Sequence, residues 1–261
     1  MKNLDRFATL FDLSGRVAVV TGAAQGNGQA IANALACAGA TVIAADLRFP
    51  KPEELDESIR CVTMDVTSEK AVAEIFSGLF KEYGSLDILV NNSGIIYKDP
   101  VESLDMARFN KTMQVNLNGV VICTKHAVPY MKKNRWGRIM NISSSQAFLA
   151  SETYSAYSAS KAAVSHLTRL WGEELAGDNI FVNALCPSYV MTPMAEAGIP
   201  AFAERNGVSW QEAHDWFVEK VPIKRFLSMD EVANWAVLLC SEMITATTGC
   251  NFAIAGGQVH L

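Results

Sequence analysis

The sequence predicts a doubly wound α/β fold, a parallel sheet with helices on both faces, in a single domain spanning residues 1–261 with a substrate loop at about 188–221. Three observations carry this expectation. Short apolar, often β-branched runs alternate with helical stretches along the chain, a pattern that calls for parallel strands joined by right-handed crossovers. The first run ends in a glycine-rich turn, Thr21-Gly22-Ala23-Ala24-Gln25-Gly26-Asn27-Gly28, which opens a helix. Half of the residues are hydrophobic and 19% are charged, which supplies a large core and argues against disorder.

Residues 16–20 form the first expected strand, and the Ala-rich segment 29–38 the helix after the turn. Residues 41–45, 60–64 and 88–90 repeat the strand pattern. Between the last two, Val72, Ile75, Phe76 and Leu79 mark one face of a helix over 68–83. A long helix is expected over 109–134, with Pro129 near its end, then a strand at 138–142, a helix at 157–175 and a strand at 180–185. Ser228-Met229-Asp230-Glu231 resembles a capping box before a helix ending at Cys240, and 251–255 reads as a last strand. Residues 188–221, with Pro193, Gly198, Pro200 and Gly207, are expected as a long loop of the kind that covers a site.

A net charge of −5 offers no broad basic surface, so nucleic acid is excluded as a partner; Lys132-Lys133-Asn134-Arg135 reads as a solvated helix end. Cys37, Cys61, Cys123, Cys186, Cys240 and Cys250 are dispersed without a C-x-x-C pair and are read as reduced, structural thiols. No apolar stretch reaches the roughly 18 residues of a membrane span and no leader pattern opens the chain, so a cytoplasmic protein without membrane contact is expected. His126, His166, His214 and His260 are scattered, and no metal is expected. His214 is read as a surface residue, and Trp210, Trp216 and Phe217 as pocket wall or as anchors of the loop or a subunit contact.

Glycine lets a main chain approach a phosphate closely, and the start of a helix presents unpaired N–H groups and partial positive charge. The turn at Gly22, Gln25, Gly26, Asn27 and Gly28 is therefore a candidate pyrophosphate seat. Asp46 follows Gly28 by 18 residues at the end of the second strand, where a carboxylate accepts from a ribose 2′-hydroxyl and repels a 2′-phosphate. NAD is accordingly the expected cofactor, with Arg48 the one nearby cation that could favour NADP. Tyr157 and Lys161 stand one helical turn apart. A nearby ammonium favours a phenolate, which would make Tyr157 a usable base in hydride chemistry.

Together these residues resemble the short-chain dehydrogenase/reductase family over nearly the whole chain, which implies a single-domain Rossmann fold. The turn is similar to T-G-x-x-x-G-x-G, Asn91-Asn92-Ser93-Gly94 to N-N-A-G, and Tyr157-Ser158-Ala159-Ser160-Lys161 to Y-x-x-x-K. The family's 13-residue interval to tyrosine selects Ser144 among Ser143, Ser144 and Ser145. Pro187-Ser188 replaces P-G, and Ala255-Gly256-Gly257 stands where D-G-G is usual. The resemblance implies catalytic Ser144, Tyr157 and Lys161, with Asn116 orienting a water in a proton relay. It implies cofactor contacts at Leu47, Asp65, Val66, Asn92, Ser93, Gly94, Pro187, Val190 and Thr192, besides the glycine turn, Asp46, Tyr157 and Lys161.

By family position Gln146, Tyr154, Ser188 and Tyr189 join Ser144 and Tyr157 as substrate contacts, and their polarity suggests a small secondary alcohol, polyol or sugar. A 3-oxoacyl-carrier-protein reductase is the alternative; Glu173, Glu174 and Asp178 make the surface after the catalytic helix acidic and count against it. A non-catalytic dinucleotide sensor is the reading from another class, opposed by the complete catalytic set. The family habit implies a homo-oligomer, a tetramer built on the two long helices and the last strand, with Phe252, Ile254 and the Val259-His260-Leu261 tail buried.

Overall fold

Seven strands, β1 (Val17–Thr21), β2 (Thr41–Asp46), β3 (Arg60–Thr63), β4 (Ile88–Asn91), β5 (Gly137–Ile142), β6 (Ile180–Pro187) and β7 (Asn251–Ile254), form one parallel sheet in the computed structural model, which describes residues 10–259. Their order is β3-β2-β1-β4-β5-β6-β7. His260 and Leu261 of the expected C-terminal tail lie outside the described residues; Val259 is buried.

The central strands are mostly apolar because both sheet faces are covered there, whereas the edge strand β3 is largely exposed. Successive side chains alternate between two cores: Ala18 and Val20 of β1 enter one, Val17 and Val19 the other. Helices α1 (Gly26–Cys37) and α8 (Met229–Cys240) close the first with Ile31, Leu35, Val232 and Leu239. Helices α2 (Glu69–Tyr83) and α4 (Gly119–Asn134) close the second with Val72, Phe76, Cys123 and Met131. Ser228 and Glu231 form the expected capping box of α8. Helix α5 (Ser155–Leu175) carries the Tyr157 and Lys161 pair.

Two expectations are corrected. The long helix is not continuous from 109: α3 (Met106–Met113) begins earlier, capped by Asp105, and a π turn at Gln114–Asn118 separates it from α4. The stretch 188–221 is no plain loop, because α6 (Pro193–Asn206) and α7 (Trp210–Glu219) occupy most of it. Two of its apparent breakers are boundary signals, Pro193 in the first turn after the Thr192 cap and Gly207 ending α6 at φ 65°, while Gly198 and Pro200 lie inside the helix. Ser209 and Glu212 then cap α7 reciprocally. Cys123, Cys186 and Cys240 are buried as expected, whereas Cys37 and Cys61 are exposed.

One close approach fixes α5. A Cβ on Gly172 would meet Gly249 N at 2.3 Å and its Cα at 2.4 Å, backbone atoms that yield only if the segment shifts. Gly172→Ala is therefore expected to cost about 2–3 kcal/mol. At about 2–4 °C per kcal/mol the melting temperature falls by roughly 4–12 °C in a thermal scan; an unchanged melt would refute the tight packing.

Candidate active site

The chain winds outward in both directions from between β1 and β4, and such a switch point opens a crevice beyond the C-terminal ends of the strands. There the turns after β1 and β4 abut. Asn92 Nδ2 donates to the carbonyls of Thr21 and Gly22 at 3.1 and 2.9 Å, and Thr21 Oγ1 accepts from the N–H groups of Asn92 and Ser93 at 3.1 and 3.2 Å. Gly22 and Gly26 adopt positive φ, 64° and 62°.

The start of α1 suits an anion. Its first turn has no acidic residue, and Gln25 at the N-cap makes no side-chain cap. Helices α2, α3, α6, α7 and α8 are all capped, by Ser68, Asp105, Thr192, Ser209 and Ser228. The first N–H groups of α1 thus keep their donor capacity for a phosphate. Asn27 Oδ1 is buried there without a partner. Gly28 does not line the cavity; a Cβ there would meet Gly22 O at 2.2 Å, so its part is to let α1 pack under the turn.

A cavity of about 690 Å³ runs from this cradle to Tyr157. Every other expected cofactor position lines it: Gly22, Gln25, Gly26, Asn27, Asp46, Leu47, Asp65, Val66, Asn92, Ser93, Gly94, Pro187, Val190 and Thr192, with Tyr157 and Lys161. Asp46 is held by the N–H groups of Ala24 and Leu47 at 3.0 and 2.7 Å. Arg48 is exposed and outside the lining. Donors from Thr67 hold the Asp65 carboxyl below the usual carboxylate range.

At the far end Ser144 follows β5, and Tyr157 and Lys161 face it from α5. Ser143, one residue earlier, ties the two elements: its Oγ donates to Lys161 O at 2.9 Å and lies 2.7 Å from Ser165 Oγ. Ser144 Oγ accepts from Gln146 N at 3.1 Å. Lys161 is buried, donates from Nζ to Ile142 O at 2.7 Å, and stands 5.7 Å from the centre of the Tyr157 ring. Burial pushes its ammonium down to about 8.

The Tyr157 phenol departs from the expected direction. Burial pushes it above its ordinary value, and the hydrogen bond with Ser144 draws it partly back. Desolvation outweighs every stabilisation of the phenolate that the protein's own groups supply. Asn116 lies in the π turn, and its side chain is engaged: Oδ1 accepts from Ile95 N at 2.8 Å, while Nδ2 donates to Ile95 O at 2.9 Å and Ser160 Oγ at 3.2 Å. Direct alignment of a water by that amide, as the sequence suggested, competes with these bonds.

Gln146, Tyr154, Ser188 and Tyr189 all line the cavity. Ser188 Oγ donates to Gln258 Oε1, and the Gln258 side chain also hydrogen-bonds Tyr189, whereas Gln146 Oε1 is buried without a partner. From the helical segment Met194, Phe202 and Phe217 form an apolar wall. Trp210 and Trp216 stay exposed outside the cavity, and His214 stacks on Trp210. Sequence reasoning missed Lys98 and Arg205, which line the same end. They are 107 positions apart and belong to no motif, so only the fold brings them together. No His, Cys, Asp or Glu cluster fit for a metal occurs among the described residues, nor does a helix long and apolar enough to cross a membrane.

A family model described as enoyl-(acyl carrier protein) reductase matches residues 22–258. The chain is 37% identical over 253 residues to cis-4-hydroxycyclohexanecarboxylate dehydrogenase of Sinomonas cyclohexanicum, covering 93% of this chain and 96% of the relative. It is 32% identical over 258 residues to D-beta-hydroxybutyrate dehydrogenase of Rhizobium meliloti, covering 93% and 98%. The aldohexose dehydrogenase structure of Thermoplasma acidophilum superposes with a TM-score of 0.87 at 32% identity over 94% of both chains.

Proposed function

The chain belongs to the short-chain dehydrogenase/reductase family of nicotinamide-dinucleotide oxidoreductases, and on that premise we propose that it oxidises a small secondary alcohol with NAD. One observation carries the reading: Ser144, Tyr157 and Lys161 converge on the end of a cavity whose other end is an uncapped helix start with Asp46 beside it. Bound there, the nicotinamide supplies a hydride acceptor.

Tyr157 Oη takes the proton of the substrate hydroxyl as the carbinol carbon gives up hydride. Ser144 Oγ donates to the substrate oxygen as charge develops on it. Lys161 would stabilise the phenolate against the upward push of burial and would hold the nicotinamide ribose. Asn116 acts as a positioning residue by tying Ile95 to Ser160, which flank Gly94 and Lys161 in sequence. Pro187, Val190 and Thr192 would hold the nicotinamide end, Asp46 the adenine ribose, and Leu47, Asp65 and Val66 the adenine side.

Asp46 sets the preference for NAD, since its carboxylate repels a 2′-phosphate and the exposed Arg48 does not line the cavity. The kcat/KM ratio is expected to favour NAD over NADP on the order of 100-fold, and Asp46→Ser to collapse it. An NADP-preferring wild type would reverse the assignment. The function is tested by following reduced nicotinamide absorbance over a panel of secondary alcohols; no turnover with any, despite NADH binding, would favour a sensor. Exposed Val121 on α4, Leu170 on α5 and Trp235 on α8 support assembly into a homotetramer.

A further inference from the structure

Lys98 and Arg205 line the cavity at the end that holds Tyr157 and Ser144, and neither has a carboxylate partner among the described residues. The acid next to Lys98 in sequence, Asp99, accepts instead from Arg108 at 3.2 Å. Both cations rest on aromatic walls: Lys98 Nζ is 5.0 Å from the centre of the Tyr154 ring, and Arg205 Cζ is 5.7 Å from that of Phe202. Lys98 is half-buried, and burial and the positive field of Arg205 both lower its pKa. Arg205 is exposed and its guanidinium is solvated, whereas Lys98 is half-buried beside that like charge without a counter-ion, a repulsion that an anion joining them would relieve.

The distribution of acids points the same way. Among the described residues Asp46 and Asp65 are the only acids of the lining; Asp46 accepts from Leu47 N and from Ala24 N of the glycine turn, and Asp65 from Thr67. The reacting end carries Lys98, Lys161, Arg205 and the unpartnered Gln146 Oε1, with Ser188 and Tyr189 both engaged by Gln258. Ser144, Gln146, Tyr154 and Tyr157 could meet a neutral hydroxyl there, but only an anion would also engage the two cations.

We propose that Lys98 and Arg205 bind a carboxylate carried by the substrate, so that the substrate class is a hydroxy acid and the product the matching oxo acid. This rests on the proposed alcohol oxidation. The carbinol C–H leaves as hydride to NAD, the hydroxyl proton passes to Tyr157, a C=O bond forms, and the carboxylate stays ionised and unaltered. The Tyr154 ring touches both Lys98, whose Nζ is 5.0 Å from its centre, and Tyr157, whose ring centre is 6.3 Å away, a span that suits a short chain or a single ring between hydroxyl and carboxylate.

The test compares 3-hydroxybutyrate and 4-hydroxycyclohexanecarboxylate with their primary amides in the full-length enzyme. Wild type is expected to favour the acids by at least about 10-fold in kcat/KM, and Lys98→Gln and Arg205→Gln each to lower that value for the better acid by about 10- to 100-fold, mainly through KM. The amide should fall far less, and Arg205→Lys should restore part of the loss. Equal losses for acid and amide would overturn the proposal, as would a wild-type preference for amides, neutral polyols or a hydroxyacyl pantetheine thioester. A second measurement does not need turnover: calorimetric titration of cyclohexanecarboxylate into the enzyme–NADH complex, with binding weakened at least about 10-fold by Lys98→Gln. Carboxylate binding without oxidation of any alcohol would sink the dehydrogenase reading alone; alcohol oxidation without carboxylate binding would sink this one alone.

Discussion

Replacing Tyr157 by Phe is expected to lower kcat about 10³- to 10⁴-fold while NADH still binds, the size of effect that follows when a positioned general base is removed. The ring keeps its place, because the buried end of α5 is fixed by bonds that do not use the phenol: Ser143 to Lys161 O, Ser160 to Tyr157 O, and Lys161 Nζ to Ile142 O. What is lost is the oxygen that takes the substrate proton and its hydrogen bond with Ser144.

The wild-type pH profile should share this origin. Burial raises the phenol, so alcohol oxidation should rise with pH as the Tyr157 proton is lost, while loss of the Lys161 proton near about 8 removes the charge that favours the phenolate and should limit that rise. In the Phe variant that rising limb should disappear. Stopped-flow turnover and NADH fluorescence titration separate the two effects. Turnover near wild type would remove Tyr157 from the chemistry, and a parallel loss of NADH binding would reduce it to a structural part.

Much of this site was legible because its chemistry is local in sequence. The glycine turn joins a strand to the helix after it, and Tyr157 and Lys161 are one turn apart on the same helix, so spacing alone puts each set on one element. Strand runs were equally plain, since a sheet covered on both faces favours apolar residues at most positions of its central strands. The helical segment over the cavity was not legible, because Pro193 and Gly207 signal loop in isolation and helix ends only when the intervening residues are known to pack. Ile199, Ala203, Ala213 and Phe217 supply that packing as a small separate core. The raised phenol was out of reach for a related reason: spacing shows the ammonium but not the burial that outweighs it. Likewise Lys98 and Arg205 had no signal, as a cation's lack of a partner is a property of three-dimensional neighbours.

Gly28→Ala is expected to disable the cofactor cradle from a position that does not line the cavity. The added Cβ would lie 2.2 Å from Gly22 O, 2.4 Å from Asn92 Nδ2 and 2.9 Å from Gly22 C. Two of these are backbone atoms, and Asn92 is itself bound to the carbonyls of Thr21 and Gly22, so neither neighbour can yield alone. Either α1 retreats from the turn or the turn deforms, and both displace the N–H groups that face the phosphates.

Overpacking of this kind costs about 3 kcal/mol, and displacement of the charge-assisted donors should weaken NADH binding by about 100-fold or more. Gly26→Ala makes the contrast that isolates the cause. Its nearest neighbour would be Thr192 Cβ at 3.7 Å, so its penalty is the positive φ, about 1 kcal/mol in stability, together with intrusion into the cradle itself. Thermal melts and fluorescence titration of both variants therefore distinguish the two roles: Gly28→Ala should melt well below Gly26→Ala, while both lose cofactor. If Gly28→Ala instead kept both its melting temperature and its affinity, α1 would not be packed under the turn at the distances described, and the seat assigned to the pyrophosphate would lose its support.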